Sequence, residues 1–378
     1  MHVEILGGGP AGLTLAILLM RDDQTHQVRV VERGPRGATW GFGVVFSDRA
    51  LDFLRADAPE LHDLLTPRMQ SWRDLTIVHG DTRVPIGGNG FASIGRLELL
   101  GALQREAERL GAGLEFDRPL ADVRDLGEAD LRVAADGAFS ASRDARPDAF
   151  GTRIDWRHNR FVWYGTTLPF DTLTLTFRPH ALGVFCAHHY RYAVDRSTFL
   201  VEVDEATYRR AGFDAMNEAD SLRLCEQVFA PDLRGHRLLS NRSTWRRFPA
   251  IWNERFFDGR TVLIGDALRT VHFSIGSGTR LAMEDAIALA KALRECARID
   301  DALAQFQRER QPPMRKIWDA ANVSLRWYEG MGELMALDPH EFAYRYMTRS
   351  GRVGHDEVRR RDPALAQAYE RLHPERFG

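Results

Sequence analysis

The chain has 378 residues, 44% of them hydrophobic and 28% charged, with a formal net charge of −2. At about 100–200 residues per domain this predicts two globular domains with ample core, and it excludes a disordered or collagen-like chain. Near-neutral charge leaves no basic stripe for nucleic acid, although all but two of the 51 basic residues (Lys291 and Lys316) are arginine.

Cys186, Cys225 and Cys296 lie far apart, with no CxxC pair. Such spacing predicts neither a disulfide framework nor a metal site. No apolar run reaches the ~18–20 residues of a membrane span, and the first residues lack the basic start of a signal peptide. The expected location is cytoplasmic, with no nucleic-acid or membrane partner.

In chain order, the short apolar run Val3–Leu6 predicts a strand that enters Gly7-Gly-Gly9-Pro10-Ala11-Gly12. Leu13, Leu15, Ala16, Leu18, Leu19 and Met20 then predict a helix. A second strand over Val28–Val31 ends at Glu32. This is G-x-G-x-x-G between a strand and a helix, with an acid at the spacing that suits ribose hydroxyls. Its glycines permit a tight turn, so a pyrophosphate can approach free N–H groups at the helix start. The motif alone leaves the identity of the dinucleotide open.

Strands are also expected over 74–79 and 82–86. Farther on, Thr172–Phe177 alternates strictly, and Val184–Tyr190 and Thr198–Val203 follow at hairpin spacing, which predicts an antiparallel sheet. Leu131–Ala134 leads into Asp136-Gly137 and Arg143. Thr261–Ile264 predicts a buried strand ending in Gly265-Asp266-Ala267. Gly276-Ser-Gly278 and a helix from Leu281 come next. Gln311-Pro-Pro313 predicts a helix start, and residues 331–378 read as a helical tail with a role in dimerisation.

Three ordered motifs, Gly7–Gly12, Asp136-Gly137 and Gly265-Asp266, together with Arg96-x-x-Leu-x-x-x-Leu103, resemble the FAD-dependent aromatic hydroxylases of the para-hydroxybenzoate hydroxylase superfamily. Trp40–Ser47, Arg160–Thr167, Ser197–Glu202 and His272–Gly278 are similar to the salicylyl-CoA 5-hydroxylase and 2-aminobenzoyl-CoA monooxygenase group. The violacein-pathway tryptophan hydroxylase is similar in the same places, including Trp245-Arg246-x-Phe248. The sequence departs from the family at Arg269, where a histidine is usual, and at His272-Phe273, where a proline is common.

The resemblance implies an α/β fold. A Rossmann-like FAD-binding domain of glutathione-reductase type would comprise residues 1–73, 91–150 and 258–330. A substrate-binding antiparallel sheet domain would comprise 74–90 and 151–257, followed by C-terminal helices over 331–378. It implies non-covalent, tightly bound FAD held by Gly7, Gly9, Pro10, Ala11, Gly12, Glu32, Arg33, Arg96, Asp266, Gly276, Gly278 and Thr279. With no second fingerprint in the chain, NADH or NADPH is expected as a transient co-substrate, alongside O₂. The implied activity is hydroxylation of an electron-rich aromatic ring through a flavin C4a-hydroperoxide, with an aryl-CoA thioester such as salicylyl-CoA as substrate. A free indole or aromatic metabolite is the alternative, and an NAD-dependent dehydrogenase a distant one.

Candidate substrate contacts are Trp40, Phe42, Trp163, Tyr164, Phe185, Tyr190 and, for CoA phosphates, Arg246. Arg242 and Arg247 lie beside Arg246. Candidate catalytic histidines are His272, His188 and His189; the last two are adjacent on a strand and point to opposite faces. No metal is expected, and the chain is expected to act as a monomer or homodimer.

Overall fold

The computed structural model describes residues 1–377. Short apolar runs form a six-stranded sheet in the order Phe257–Asp258, Thr261–Leu263, Leu131–Ala134, His2–Leu6, Gln27–Val31 and Gly113–Glu115. Its pairings are parallel except for the Phe257–Asp258 edge hairpin. Val3, Ile5, Val30, Leu131, Val133, Val262 and Leu263 are almost fully buried, as expected of parallel strands covered on both faces.

Register then does the positioning. Leu6 and Leu263 both pair with Ala134, so three strands end level with one another. Residues 7–12, 135–140 and 264–267 therefore meet at the same sheet edge, although they are far apart in sequence. The crevice beyond parallel strand ends is where open α/β sheets bind ligands.

An eight-stranded sheet runs Leu238–Leu239, Thr152–Thr166, Arg196–Val203, Gly183–Ala193, Leu173–His180, Leu75–His79 and Thr82–Ile86, with Arg246–Asn253 paired to Thr152–Thr166 off that path. Both early strands join it, Leu75–His79 running parallel to Leu173–His180. On one face, Tyr164, Phe185, Phe199 and Val201 pack against Cys225 and Val228 of the helix Glu218–Val228 and against Phe229 just beyond its end. Fully burying each such large side chain contributes about 1.5–3 kcal/mol. The other face looks toward the crevice. A small third sheet, Gly43–Ser47, Phe91–Gly95 and Gln70–Trp72, lies between the two and was not anticipated from sequence.

One boundary differs from expectation. Pro312 and Pro313 do not begin a helix; they lie inside a continuous helix, Ile299–Glu329. The prolines forgo two intrahelical hydrogen bonds. Side-chain anchors hold this segment: Gln311 Nε2 and Gln307 Nε2 both donate to Glu254 O, at 2.8 and 3.4 Å, and Arg310 pairs with Glu284 and Asp285. The tail is helical. Its Phe342, Tyr346, Leu365 and Tyr369 pack with Ile77, Val84 and Ile86 of the chain's own outer strands. No helix among the described residues is long and apolar enough to cross a membrane.

Candidate functional site

The three converging loops have distinct steric reasons for their glycines. Gly7 has φ +115°, and a Cβ there would lie 2.2 Å from Ala135 O; a Cβ on Gly12 would lie 2.2 Å from Gly7 O. Those two residues let the first loop touch the second and close on itself. Gly9 is different, because a Cβ would meet nothing within 4 Å. It caps the helix Pro10–Asp22 without any side-chain cap, with Pro10 in the first turn. An open, uncapped helix start is a ready anion site.

Glu32 accepts from Gly8 N (2.8 Å) and Gly34 N (2.9 Å), which fixes the carboxylate beside that start. Asp136 accepts from Ser142 N at 3.2 Å while its Oδ1 is buried without a partner, and burial raises its pKa. Arg143, fully buried, donates to Ala138 O (3.0 Å) and Ala267 O (3.4 Å). One guanidinium thus ties the Asp-Gly loop to the Gly-Asp turn.

Asp266 and Arg96 line the same cleft. Neither carboxylate oxygen of Asp266 has a hydrogen-bond partner among the described residues, and Arg96 spends only Nε, on Thr39 Oγ1 at 2.9 Å. Enclosure by protein raises the Asp266 pKa and lowers that of Arg96, while each group's charge favours the ionised form of the other. Opposite charges left unpaired across a cleft fit a ligand carrying both donors and acceptors. Together with the open face at Gly9, the residues present fit FAD. The helix Gly278–Glu295 supplies a second uncapped start, with Gly276 at φ +58° and Gly276, Gly278 and Thr279 on the cleft wall.

Arg269 takes no part in that wall. It is buried, with Nη1 2.5 Å from Asp285 Oδ2 and Nη2 3.1 Å from Oδ1, and it also donates to Gly265 O and Leu281 O. It clamps the Gly-Asp turn to the helix behind it, and from there its charge, more than that of Arg96, favours the ionised form of Asp266.

The cleft has a volume of about 1020 Å³. Strand alternation decides which candidates reach it. Trp163, Leu175, His188, Tyr190, Thr198 and Leu200 form its floor, and Trp40 stands at its rim, 54% exposed. Tyr190 OH donates to Gly43 O and Gly43 N donates to Thr198 Oγ1, both at 2.9 Å, fastening the Gly41–Ser47 segment to the sheet.

Other candidates fall elsewhere. Tyr164 and Phe185 occupy the opposite face, where Tyr164 OH meets Ser221 Oγ at 3.2 Å and Phe185 packs on Phe213 and Phe229. His189 lies there too, between Phe170 and Phe199, with Nε2 3.0 Å from Thr176 Oγ1; burial pushes its pKa well down. Phe42 covers Gly165, whose Cβ position would lie 2.5 Å from Phe42 Cδ1, and it does not line the cleft. Adjacent strand residues cannot share a face.

His272 is buried behind Phe273, which is the wall residue. Its Nδ1 accepts from Ser274 N at 3.4 Å, capping the turn Phe273–Ile275, and burial lowers its pKa to about 4. Of the three candidate histidines, His188 alone lines the cleft. Arg246 and Arg247 border the cleft and a second shallow hollow of about 590 Å³, shared with Arg33, Phe139, Trp156, Arg160 and Trp245. Arg33 thus lies on this outer hollow.

Sequence reasoning missed Glu202 and Arg349. Glu202 is 1% exposed beneath the cleft floor. The signal was present: an acid in the apolar run Thr198–Val203, two residues beyond Leu200 and therefore on the same face. Arg349 had none. It arrives from the tail to donate to Ser274 O (2.7 Å) and Ser324 Oγ (2.9 Å) and lies over the Tyr346 ring.

Residues 104–321 match the family model described as "FAD binding domain". Salicyloyl-CoA 5-hydroxylase of Streptomyces sp is 39% identical over 93% of this chain and 70% of that protein. The 3-hydroxy-4-methyl-anthranilyl-[aryl-carrier protein] 5-monooxygenase of Streptosporangium sibiricum is 36% identical over 87% of this chain and 89% of that one. Among solved structures, a single-residue variant of 2-methyl-3-hydroxypyridine-5-carboxylic acid oxygenase superposes with a TM-score of 0.72. The match covers 95% of this chain and 98% of that one at 18% identity, a likeness of fold.

Proposed function

Because the chain belongs to the FAD-dependent aromatic monooxygenases, we propose that it hydroxylates an aryl group carried as a thioester, with CoA as the carrier. When bound, FAD would supply hydride acceptance from NADH or NADPH and the O₂ activation that transfer of one oxygen atom to the ring requires. Two relatives supply the thioester: their names place the aromatic acid on CoA in one case and on a carrier protein in the other.

In this reading Gly7–Gly12 and the helix start receive the pyrophosphate, and Glu32 faces the adenosine ribose. Asp266 and Arg96 would hold the cofactor's polar chain, and Gly276, Gly278 and Thr279 would hold its ring. Residues 1–73, 91–150 and 258–330 make up the cofactor unit, while 74–90 and 151–257 make up the substrate unit. Leu175, Leu200, Trp163 and Phe273 exclude water from the aromatic substrate, which favours oxygen transfer over wasteful release. Arg246 and Arg247, with Arg242, offer guanidinium forks to carrier phosphates at the rim. The observation that carries the reading is one cleft, about 1020 Å³, bounded by all three cofactor loops on one side and the apolar sheet floor on the other.

The test is substrate-dependent NADH oxidation by the FAD-loaded enzyme with salicyloyl-CoA against free salicylate. The expected result is a kcat/KM at least tenfold higher for the thioester. Equal values for the two would overturn the carrier.

A further inference from the structure

Beneath the cleft floor lies a polar group that the proposed function does not use. Glu202 sits on the strand Arg196–Val203, on the same face as Leu200 and Thr198. Register pairs Leu200 with His188 and Glu202 with Cys186, which leaves Glu202 diagonal to the His188 imidazole. Its Oε1 accepts from Asn159 Nδ2 at 2.8 Å, and its Oε2 lies 3.4 Å from His188 Nε2. The imidazole stacks on Tyr328, with centroids 5.1 Å apart, and meets the edge of Phe273. Its Nδ1 has no partner among the described residues, and the residue is on the cleft wall.

The protonation pattern follows from the neighbours. Burial alone would raise the Glu202 pKa. The hydrogen bond from His188 is the largest influence that outweighs it, followed by the nearby His272 and His188 imidazoles and the Asn159 amide, and together they hold the carboxylate below its usual range. His272 Nε2 is 4.0 Å away, beyond hydrogen-bond reach, and His272 stays neutral near pH 7 because burial lowers its pKa to about 4. Cys186, 3.6 Å from His188 Nε2, remains a thiol because burial pushes its pKa far up. Tyr328 is likewise held as the phenol. Arg349 lies 5.8 Å from the Tyr328 ring centroid, and Arg157 is already paired with Glu329 and Asp155. A buried carboxylate oxygen needs a donor, and His188 Nε2 is the single one that Oε2 has among the described residues. A thiol S–H is too weak a donor to reverse that preference.

We infer that His188 and Glu202 form a buried base pair for the hydroxylation: Glu202 fixes the Nε2–H tautomer, and His188 Nδ1 takes the proton of a ring hydroxyl or ring N–H on the substrate. The O–H (or N–H) bond breaks, its electron pair stays on the substrate and activates the ring carbons, and the N–H bond forms at Nδ1. Glu202 balances the imidazolium that results. His188 is the catalytic residue and Glu202 a positioning residue. The inference rests on the aromatic-hydroxylase reading and narrows the substrate to rings bearing an ionisable hydroxyl or N–H.

The test begins with nitrogen-15 NMR of histidine-labelled, FAD-loaded enzyme, with the His188 signals assigned by their loss in His188→Asn. The wild type should show Nε2 protonated and Nδ1 bare. In Glu202→Gln the amide oxygen keeps the Asn159 bond and the amide NH₂ faces Nε2. The tautomer should then switch to Nδ1–H, and the base is lost. With salicyloyl-CoA, kcat in Glu202→Gln should fall about 10²–10⁴-fold at unchanged FAD content, the usual scale of general-base catalysis and of a wrong tautomer. An Nδ1–H tautomer in the wild type would overturn the pair, as would a Glu202→Gln enzyme within twofold of wild type. If Glu202→Gln fails to fold, the wild-type tautomer still decides. If salicyloyl-CoA is not turned over by the wild type, the carrier reading fails, and the tautomer decides the pair by itself.

Discussion

The loops at the strand ends and the polar group under the sheet floor are built in opposite ways. The loops are largely local: six consecutive residues, Gly7–Gly12, contain the turn and the helix start, and backbone oxygens of Gly7 and the adjoining Ala135 give the steric reasons. The polar group is assembled from four segments, with Asn159, His188 and Glu202 on three strands and His272 on a loop. A local device is specified by backbone sterics and tolerates little change. An assembled one is specified by register and charge, and it fails through protonation before it fails through shape.

The sharpest contrast comes within the loops themselves. Gly7→Ala should cost about 3 kcal/mol or more, since a methyl group at φ +115° would lie 2.2 Å from a backbone oxygen. Thermal unfolding of the cofactor-free protein should show a fall of many degrees. Gly9→Ala should leave that apo transition in place and lower FAD affinity about tenfold, read by fluorescence titration. A large apo destabilisation by Gly9→Ala would mean that its glycine serves the fold and would erase the distinction.

Next in size is Arg269→Met. Removing one partner of a buried ion pair costs about 3–5 kcal/mol, and Arg310, still 3.0 Å from Asp285 Oδ1, moderates the loss toward the lower end. Denaturant unfolding measures it. Little change in stability would mean that the clamp is not what holds the Gly-Asp turn.

The assembled region should be acid-sensitive, whereas the glycine loops should not. His272 has a folded pKa of about 4 against an ordinary 6.5, so below pH 6.5 the unfolded chain binds the extra proton first. Stability from this residue is present above pH 6.5 and declines as pH falls toward 4, by about 2 kcal/mol at pH 5. Urea unfolding at pH 7 and pH 5, with His272→Asn as the control that removes the difference, would read this contribution.

The smallest effect is expected on the covered face. Tyr164→Phe removes one hydroxyl contact to Ser221 and should cost about 1 kcal/mol without changing kcat. A kcat change of tenfold would contradict the assignment of faces.

These contrasts also explain what the sequence revealed. Gly7–Gly12, Glu32, Asp136-Gly137 and Gly265-Asp266 were legible because each motif is short and carries its own strand or helix context. Their meeting point required the register that levels Leu6, Ala134 and Leu263. Trp163 and Tyr164 both looked like pocket aromatics because composition does not say which parity of a strand faces the crevice. The helix start expected at Gln311 was misplaced because a proline pair usually marks a beginning; here the contacts of Gln307, Arg310 and Gln311 carry the helix through it. Glu202 was readable by parity, while Arg349 depends on how the tail folds back and left no local trace.

The most direct test of the whole account is product analysis by mass spectrometry after incubating the FAD-loaded enzyme with salicyloyl-CoA, NADH and ¹⁸O₂. The account predicts a hydroxylated acyl-CoA carrying a single labelled oxygen on its ring. NADH consumption that yields only hydrogen peroxide, with no label in the acyl-CoA, would contradict hydroxylation of this substrate.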